Sequence, residues 1–507
     1  MLPFPVFNPW EITYGPDDYL WISEEKGTVT RVHPETGLRK KVFTATDYFN
    51  GSNSEKAPCG LSIGANTYGL ALHPNFLNPN NSFIYLIYSY NSGTEEAPAT
   101  LFKIVQLTWD AETNSVIDNK DLVLELANGY DHFGGRMIAV RQNEKDYLYY
   151  STGDTGSNFD DCYGTPADNP NNFAQDPNAK NGKIHRIYTD GTIPEDNPIP
   201  ENSFFTRGHR NPQGLAYNPN QNVLYDIEHG HTTDDEINVL QAGMNYGWND
   251  VQGYHDGNYP EELEFVQNYV PHPDIKDDAL IEPLYSWGVA KDVGGNFLTW
   301  PTVAPSDGIY YGSDGIPEWT NSLLVVTLKN GSDTDQEVFQ FQLNPDGKSL
   351  LPATPESPNP KKFFGEDQAL NGRLRDIAVS PDGKKIFLIT NNRNTVNTII
   401  VYTLNEVTAT SVQNAKTVSS VINYPNPFSS EMTIDYQTKT AGPIRIKVYN
   451  SLGQSIKTLE NKKISAGQHT VTWDGTSREG RTLPNGVYYY TLLFDHAKWS
   501  GKMLLSR

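Results

Sequence analysis

A short phrase of apolar and polar positions recurs along the chain. It runs apolar-small-apolar, then a Pro or polar turn, then an aromatic β-type run. It reads WEITYGPDDYLWIS at 10–23, and YGLALHPNF at 68–76 followed by FIYLIYSY at 83–90. It returns as GRMIAVRQNEKDYLYYSTGD at 135–154 and GLAYNPNQNVLYDIE at 214–228. A weaker copy, TVAPSDGIYYG at 302–312, leads into SLLVVTL at 322–328, and the last is LRDIAVSPDGKKIFLIT at 374–390. The six copies are spaced by roughly 60 to 85 residues, and each precedes a further strand-like segment such as GTVTRVHP or GKIHRIYTDG. Helical 3.6-residue periodicity is almost absent, and Gly, Pro, Asn and Asp punctuate the runs. The pattern predicts an all-β fold, a six-bladed β-propeller that closes by radial repetition. A β-sandwich would need shorter and more regular spacing.

The pattern changes after residue 407. Residues 408–420, TATSVQNAKTVSS, are small, polar and aperiodic, and predict a linker. Beyond them the alternation is clean. Met432, Ile434 and Tyr436 face one way, as do Ile444, Ile446 and Val448, then Val471 and Trp473. GVYYYTLLF at 486–494 is a further strand, and short alternating strands over 421–507 predict a C-terminal immunoglobulin-like β-sandwich. The division is a propeller at 1–407, a linker at 408–420 and a sandwich at 421–507.

Charge sharpens that division. The formal net charge is −22. Residues 421–507 hold 11 Lys and Arg against 6 Asp and Glu, a net of +5, which leaves 28 against 55, a net of −27, for residues 1–420. A surface that acidic repels nucleic acid and anionic membranes and suits neutral or cationic small molecules; simple solvation is the plainer alternative. No apolar run is long enough to span a membrane. The opening MLPFPVFNPW lacks the regions of a signal peptide, so one reading is a chain that starts after a removed signal, with Met1 added for expression. Two cysteines, Cys59 and Cys162, exclude a disulfide scaffold; a long-range pair and two buried free thiols both fit.

Candidate chemistry gathers between Gly208 and Trp248, where charges of both signs crowd between turn signals. Arg210 follows His209; Lys329 ends the strand LLVVTLK; Arg373 and Arg375 alternate in NGRLRD, which predicts one shared strand face. Each alone reads as a surface ion pair, but several guanidinium forks in a net-negative domain point to a small polyanionic ligand. His132, in DHFGGR ahead of a strand, has the chemistry of a general base. Asp154, in the turn after YLYYS, is placed to accept its second ring N–H; a lone structural histidine is the plainer alternative. Asp234, Asp235, Glu236 and Asp256 are hard oxygen donors that suit Ca²⁺ over zinc, or form a solvated acidic loop. EF-hand spacing, a zinc Cys/His cluster, GxSxG and a Walker motif are all absent from the sequence.

Residues 1–405 resemble a known family, the soluble pyrroloquinoline quinone (PQQ)-dependent glucose/aldose sugar dehydrogenases. The likeness rests on GLALHPNF (69–76), DHFGGR (131–136), STGDTG (151–156), NGKIHRIYTDGTIPEDNP (181–198), GHRNPQGLAYNPN (208–220), DDEIN (234–238), NYGW (245–248), WPTVAPS (300–306), LLVVTLKNG (323–331) and GRLRDIAVSPDG (372–383), in family order. It implies a six-bladed propeller with PQQ on one face. It implies His132 as catalytic base, Asp131 at a sugar contact, and Asp154 as the carboxylate that orients the histidine. Arg210 and Asn211 match the pair lying against the quinone, and Thr302, Lys329, Arg373 and Arg375 match the cradle for its carboxylates. Gly230 and His231 fall where backbone carbonyls hold a Ca²⁺ that PQQ also ligates. Glu236, Tyr246 and Asp256, helped by a carbonyl such as that of Gln252, fall on a second Ca²⁺ site. The chain also departs from the family. Only Asn66 stands in for a quinone-contacting Gln, Phe159 stands near the place of a sugar-contacting Gln, Phe297 replaces a tyrosine before WPT, and His231 replaces the usual Pro. These departures put glucose specificity in doubt.

The tail resembles the C-terminal sorting domain of type IX secretion substrates, through YPNPF (424–428), IKVYNSLGQ (446–454), WDGTSREGRTLPNGVYYYTL (473–492) and GKMLLSR (501–507). The expected protein is a secreted or cell-surface PQQ- and Ca²⁺-dependent dehydrogenase that oxidises an aldose or related hydroxyl substrate to its lactone. It would pass electrons to an external acceptor and be exported by the type IX machinery. The alternatives are a Ca²⁺-dependent propeller lactonase and a non-catalytic binding propeller.

Overall fold

The computed structural model describes residues 2, 5–51, 66–128, 131–156, 173–288, 300–329, 337–355, 357–364, 372–392, 397–404, 418–450, 455–478, 480–494 and 497–507. The chain divides into two compact units, Met1–Leu404 and Asn405–Arg507.

Among the described residues, six antiparallel sheets follow one another in the first unit. The first holds β1 (Ile12–Tyr14), β2 (Leu20–Glu24), β3 (Thr28–Val32) and β4 (Arg39–Thr44). The second holds β5 (Thr67–Leu72), β6 (Phe83–Asn91), β7 (Thr100–Asp110) and β8 (Ser115–Leu126). The third holds β9 (Gly134–Gln142), β10 (Lys145–Thr152), β11 (Lys183–Tyr188) and β12 (Phe204–Arg207). The fourth holds β13 (Pro212–Asn218), β14 (Val223–Glu228), β15 (Asp235–Leu240) and β16 (Tyr285–Trp287). The fifth holds β17 (Pro305–Tyr311), β18 (Ser322–Thr327), β19 (Val338–Gln342) and β20 (Lys361–Phe363), and the sixth β21 (Leu374–Val379), β22 (Lys385–Thr390) and β23 (Ile399–Thr403).

Within each sheet the strands pair in chain order, so the first strand lies at one edge. Those first strands pack in sequence from β5 through β9, β13, β17 and β21, and β21 returns to β1, which also meets β5. The result is a propeller-like ring. The chain start helps to close it: Leu2 N donates to Ile399 O at 2.9 Å, and Val6 bridges Asn397, beside β23. The inner and middle strands are buried on both faces because each sheet packs between two others, while the outer β4 and β8 are largely exposed. β14 and β18 are buried at every position, which explains their near-continuous apolar runs.

In the second unit, β24 (Val418–Tyr424), β25 (Met432–Thr438) and β28 (Gly467–Trp473) form one sheet. β27 (Ser455–Ile464), β26 (Gly442–Tyr449), β29 (Gly486–Phe494) and β30 (Ala497–Leu505) form the other. Met432, Ile434, Tyr436, Ile444, Ile446, Val448 and Trp473 share one apolar core. The predicted linker needs a correction at its end. Val418–Ser420 already belong to β24, where Val418 pairs with Thr438 and Ser420 with Gln437. Small polar residues hide a strand whose ladder is supplied by a neighbour. The rest of 408–420 lies outside the described residues.

Candidate active site

The antiparallel order brings one set of loops to one end of the ring. His132 lies just before β9 and Asp154 just after β10. Arg210 and Asn211 lead into β13, Gly230 and His231 follow β14, Thr302 precedes β17, Lys329 follows β18, and Arg373 precedes β21. Starts of first strands and ends of second strands share that end.

His132 and Asp154 are joined there. Nδ1 of His132 lies 2.8 Å from Asp154 Oδ1. Asp154 is fully buried, and Oδ1 also accepts from Gly156 N at 2.9 Å, while Oδ2 accepts from Trp248 Nε1 at 2.9 Å. With its carboxylate so held, Asp154 fixes the Nδ1–H tautomer and leaves Nε2 of His132 as the basic nitrogen. The turn is tight. Asp154 N donates to Arg210 O, Thr155 N donates to His132 O, and a Cβ on Gly153 would collide with the His132 carbonyl, so only glycine fits. Asp131 is exposed at the rim and accepts His132 N at 2.9 Å.

Arg210 is buried beside this pair. Its backbone N donates to Glu228 Oε2 at 3.1 Å and its Nη1 to His229 O at 3.2 Å, and its guanidinium sits 5.4 Å from the Trp248 ring centroid. Its Nε is buried without a partner. Burial lowers its pKa, against the pull of Asp154 and Asp131. Asn211 Oδ1 accepts from Gln213 Nε2 at 2.8 Å and from Gly134 N at 3.3 Å.

Arg375 is the second buried guanidinium. Nη1 donates to Gln213 Oε1 at 2.8 Å, the Trp10 ring lies 4.1 Å away, and Nε has no partner. Burial drives its pKa well down, and the like charges of Arg373 and Arg136 add to that. The expected strand alternation of Arg373 and Arg375 is corrected here. Arg373 precedes β21, and Arg375 sits at a register shift between Leu374 and Asp376, so the two do not alternate along a regular strand, although Arg373 lies close enough for its charge to lower the Arg375 pKa. Thr302 and Lys329 are buried; Lys329 N donates to Val303 O at 3.1 Å, and its Nζ lies 5.9 Å from the Trp300 ring. Asn66 is half-buried at the entry to β5, where its Oδ1 accepts from Thr67 N at 2.9 Å.

The expected metal residues split into groups. Gly230 N donates to Asp235 Oδ1 at 2.9 Å, and the His231 ring lies 6.3 Å from that of Trp248. Burial lowers the His231 pKa to about 3, which keeps the ring neutral. Glu236 accepts from Gly253 N at 2.7 Å and from Asn238 Nδ2 at 3.1 Å. Burial, with Glu228 and Asp234 nearby, pushes its pKa well up. Gln252 is buried with neither side-chain polar atom partnered. Tyr246 instead turns its hydroxyl to Val239 O at 2.7 Å and stacks on His209, and Asp256 stays exposed.

Among the described residues, the one cluster of three His and carboxylate side chains with convergent ligand atoms is His209, Asp226 and Glu228. Burial would lower the His209 pKa, but Glu228 and Asp226 outweigh it and raise it to about 9. The sequence reading did not find this group, nor Trp248 or Gln213 as partners. The alternation of Asp226 and Glu228 in β14 was the available signal. Phe159, Phe297, Cys59 and Cys162 lie outside the described residues.

The donor chemistry fits the expected groups. Two buried guanidiniums with unpartnered Nε atoms fit a polyanion such as PQQ. Glu236, whose charge burial disfavours, and the unpartnered Gln252 amide fit a hard cation such as Ca²⁺.

A family model described as Glucose / Sorbosone dehydrogenase matches residues 6–400, and one described as FlgD Ig-like domain matches residues 425–494. Quinoprotein glucose dehydrogenase B of Acinetobacter calcoaceticus is 31% identical over 440 residues, covering 77% of this chain and 84% of that protein. Aldose sugar dehydrogenase YliI of Escherichia coli K12 is 28% identical over 263 residues, covering 50% of this chain and 56% of that protein. The solved PQQ-bound form of aldose sugar dehydrogenase from Streptomyces coelicolor shares the fold. Its TM-score is 0.53 at 20% identity, over 79% of this chain and 98% of that one.

Proposed function

Because the chain belongs to the Glucose / Sorbosone dehydrogenase family, we propose that it is a PQQ- and Ca²⁺-dependent dehydrogenase of aldose sugars. The six sheets of its first unit are read as six propeller blades. The observation that carries the reading is the His132–Asp154 pair at 2.8 Å, at the same end of the ring as the buried Arg210 and Arg375.

Thr302, Lys329, Arg373 and Arg375 would hold the carboxylates of PQQ, with Asn66, Arg210 and Asn211 against its rings. The Gly230 and His231 carbonyls would hold Ca²⁺, and Glu236, Gln252, Asp256 and the Tyr246 backbone a second Ca²⁺. When bound, PQQ supplies a two-electron acceptor and Ca²⁺ a Lewis acid. His132 takes the proton of the sugar hydroxyl on Nε2, because Asp154 occupies Nδ1. Asp154 stabilises the imidazolium that forms. Arg210 presents positive charge to a developing oxyanion. Asp131 meets a sugar hydroxyl at the rim. The sugar gives up its hydroxyl proton and, from the carbon bearing that hydroxyl, a hydride, which leaves the lactone; the two electrons would pass on to an external acceptor and the second proton to solvent. A lactonase would have no use for the Arg375 cradle.

The FlgD Ig-like match supports an immunoglobulin-like second unit. We read it as a type IX sorting domain that addresses the chain to the cell surface or medium. The test of the activity is direct: add PQQ and CaCl₂ to the purified chain and screen aldoses with an electron-accepting dye. Dye reduction with an aldose is expected. Lactone hydrolysis, with no dye reduction by any sugar, would overturn the reading.

A further inference from the structure

The centre of the ring distributes its buried charge unevenly. Arg136, on β9, is buried and meets three carboxylates. Its Nη1 lies 2.6 Å from Glu11 and 2.9 Å from Asp376, and its Nε 3.3 Å from Asp307. Its Nε also donates to Gln213 O at 2.8 Å and its Nη2 to Ser306 O at 3.0 Å. These partners come from the starts of four other sheets. Arg375 neighbours Asp376 in sequence and is buried too. Among the described residues it pairs with no carboxylate, and its side-chain partner is the neutral amide oxygen of Gln213. Asp376 is already engaged: Oδ2 accepts from Ile12 N and Arg136, and Oδ1 from Ile377 N.

Gln213 touches both arginines. Its backbone carbonyl is on Arg136, its amide oxygen on Arg375, and its amide nitrogen on Asn211. A neutral side chain thus stands where a glutamate of nearly the same shape would reach the same guanidinium at 2.8 Å. A carboxylate there would pair Arg375 within the chain, and any outside anion would then compete with it.

We propose that Gln213 is a positioning residue that aims Arg375 without neutralising it, reserving that guanidinium for a carboxylate of the bound ligand. This rests on the quinone reading above and deepens it, by naming the residue that keeps the cradle charged. The chain gives up an internal ion pair in exchange for affinity toward an anion. Swapping in glutamate also removes the donor to Asn211. The Asn211 amide can turn to offer its NH₂, losing only the 3.3 Å bond from Gly134 N.

The test compares wild type, Gln213→Glu and Gln213→Met, all full-length and free of cofactor. Thermal melting is read first, then PQQ affinity by titration at fixed CaCl₂. Gln213→Glu is expected to melt at or above wild type, yet bind PQQ about tenfold or more weakly. Gln213→Met, which loses the hydrogen bonds but adds no charge, is expected to melt lower and bind within about threefold of wild type. A merely structural role would lower melting and affinity together. Gln213→Glu that binds as tightly as wild type overturns the proposal. So does Gln213→Glu that melts below Gln213→Met or does not fold. If wild type binds no PQQ, the quinone reading falls, while a raised melting point in Gln213→Glu still supports the unpaired state of Arg375.

Discussion

Inside the C-terminal unit lie Met432, Ile434, Ile446, Trp473, Leu492 and their apolar neighbours, with Thr438 the buried polar residue among those described. Inside the first unit lie Glu11, Arg136, Asp154, Lys183, His209, Arg210, Asp226, Asp307, Arg375 and Asp376, all buried. Both units are antiparallel β structure of the same alphabet. A two-sheet packing can close over a wholly apolar interior. A ring of sheets brings the starts of its inner strands together at one axis, where polar groups must be paired or put to use. Arg136 is paired. Arg210, Arg375 and the His132–Asp154 pair are at the ring end where a ligand would meet them. The difference teaches where to look: buried charge that the fold has not neutralised marks the proposed chemistry.

The comparison breaks most sharply at His132. His132→Ala should leave PQQ and Ca²⁺ binding intact, since neither is assigned to it, and lower turnover by about 10²–10⁴-fold. Steady-state dye reduction with saturating cofactor measures this. A variant within tenfold of wild type would mean that another group takes the proton.

The apolar unit should answer to packing alone. Ile446 is fully buried on β26, between β27 and β29. Ile446→Ala should destabilise the second unit by about 2–5 kcal/mol, with dye reduction unchanged. Calorimetry of the full chain reads the first and a sugar assay the second. Lost activity at folded temperatures would join the units in function and sink the contrast. A smaller effect is expected from Asp154→Asn, which keeps the shape but weakens the hold on the imidazole. Losing such an orienting partner typically costs about 10–100-fold. A loss as large as that of His132→Ala would give Asp154 more than a positioning role.

Much of this was legible in the chain. The recurring phrase marks turn and buried strand together, so the succession of sheets follows from it. The strands of the second unit show in the alternation of β25 and β26, where one face is wet. His132 with Asp154 was readable because each sits in a tight turn beside a strand of one hairpin. The central ion cluster was not: Arg136 meets Glu11 across 125 positions and Asp376 across 240, and each reads locally as one more surface charge. Gln213 was invisible for the same reason, since a glutamine carries no charge pattern. Arg373 and Arg375 misled because alternation presumes a regular strand, and β21 begins with a register shift.

The smallest effect expected is none, and it tests the comparison from the other side. All the proposed site residues, from Asn66 to Arg375, lie within Met1–Leu404, and none falls in Asn405–Arg507. The buried charges that single out the site lie in that first unit as well. If uncompensated buried charge is what the chemistry needs, a chain ending at Leu404 keeps all of it. That truncation should bind PQQ and reduce dye within about twofold of the full chain, as an independently folding domain would. The full chain should melt in two calorimetric transitions and the truncation in one. In a host with type IX secretion machinery, the full chain should reach the surface or medium and the truncation should stay behind. Retained activity with lost export assigns chemistry to the charged ring and address to the apolar second unit. A truncation that folds but cannot hold PQQ would show that the second unit shapes the site, and buried charge alone would no longer mark where this protein works.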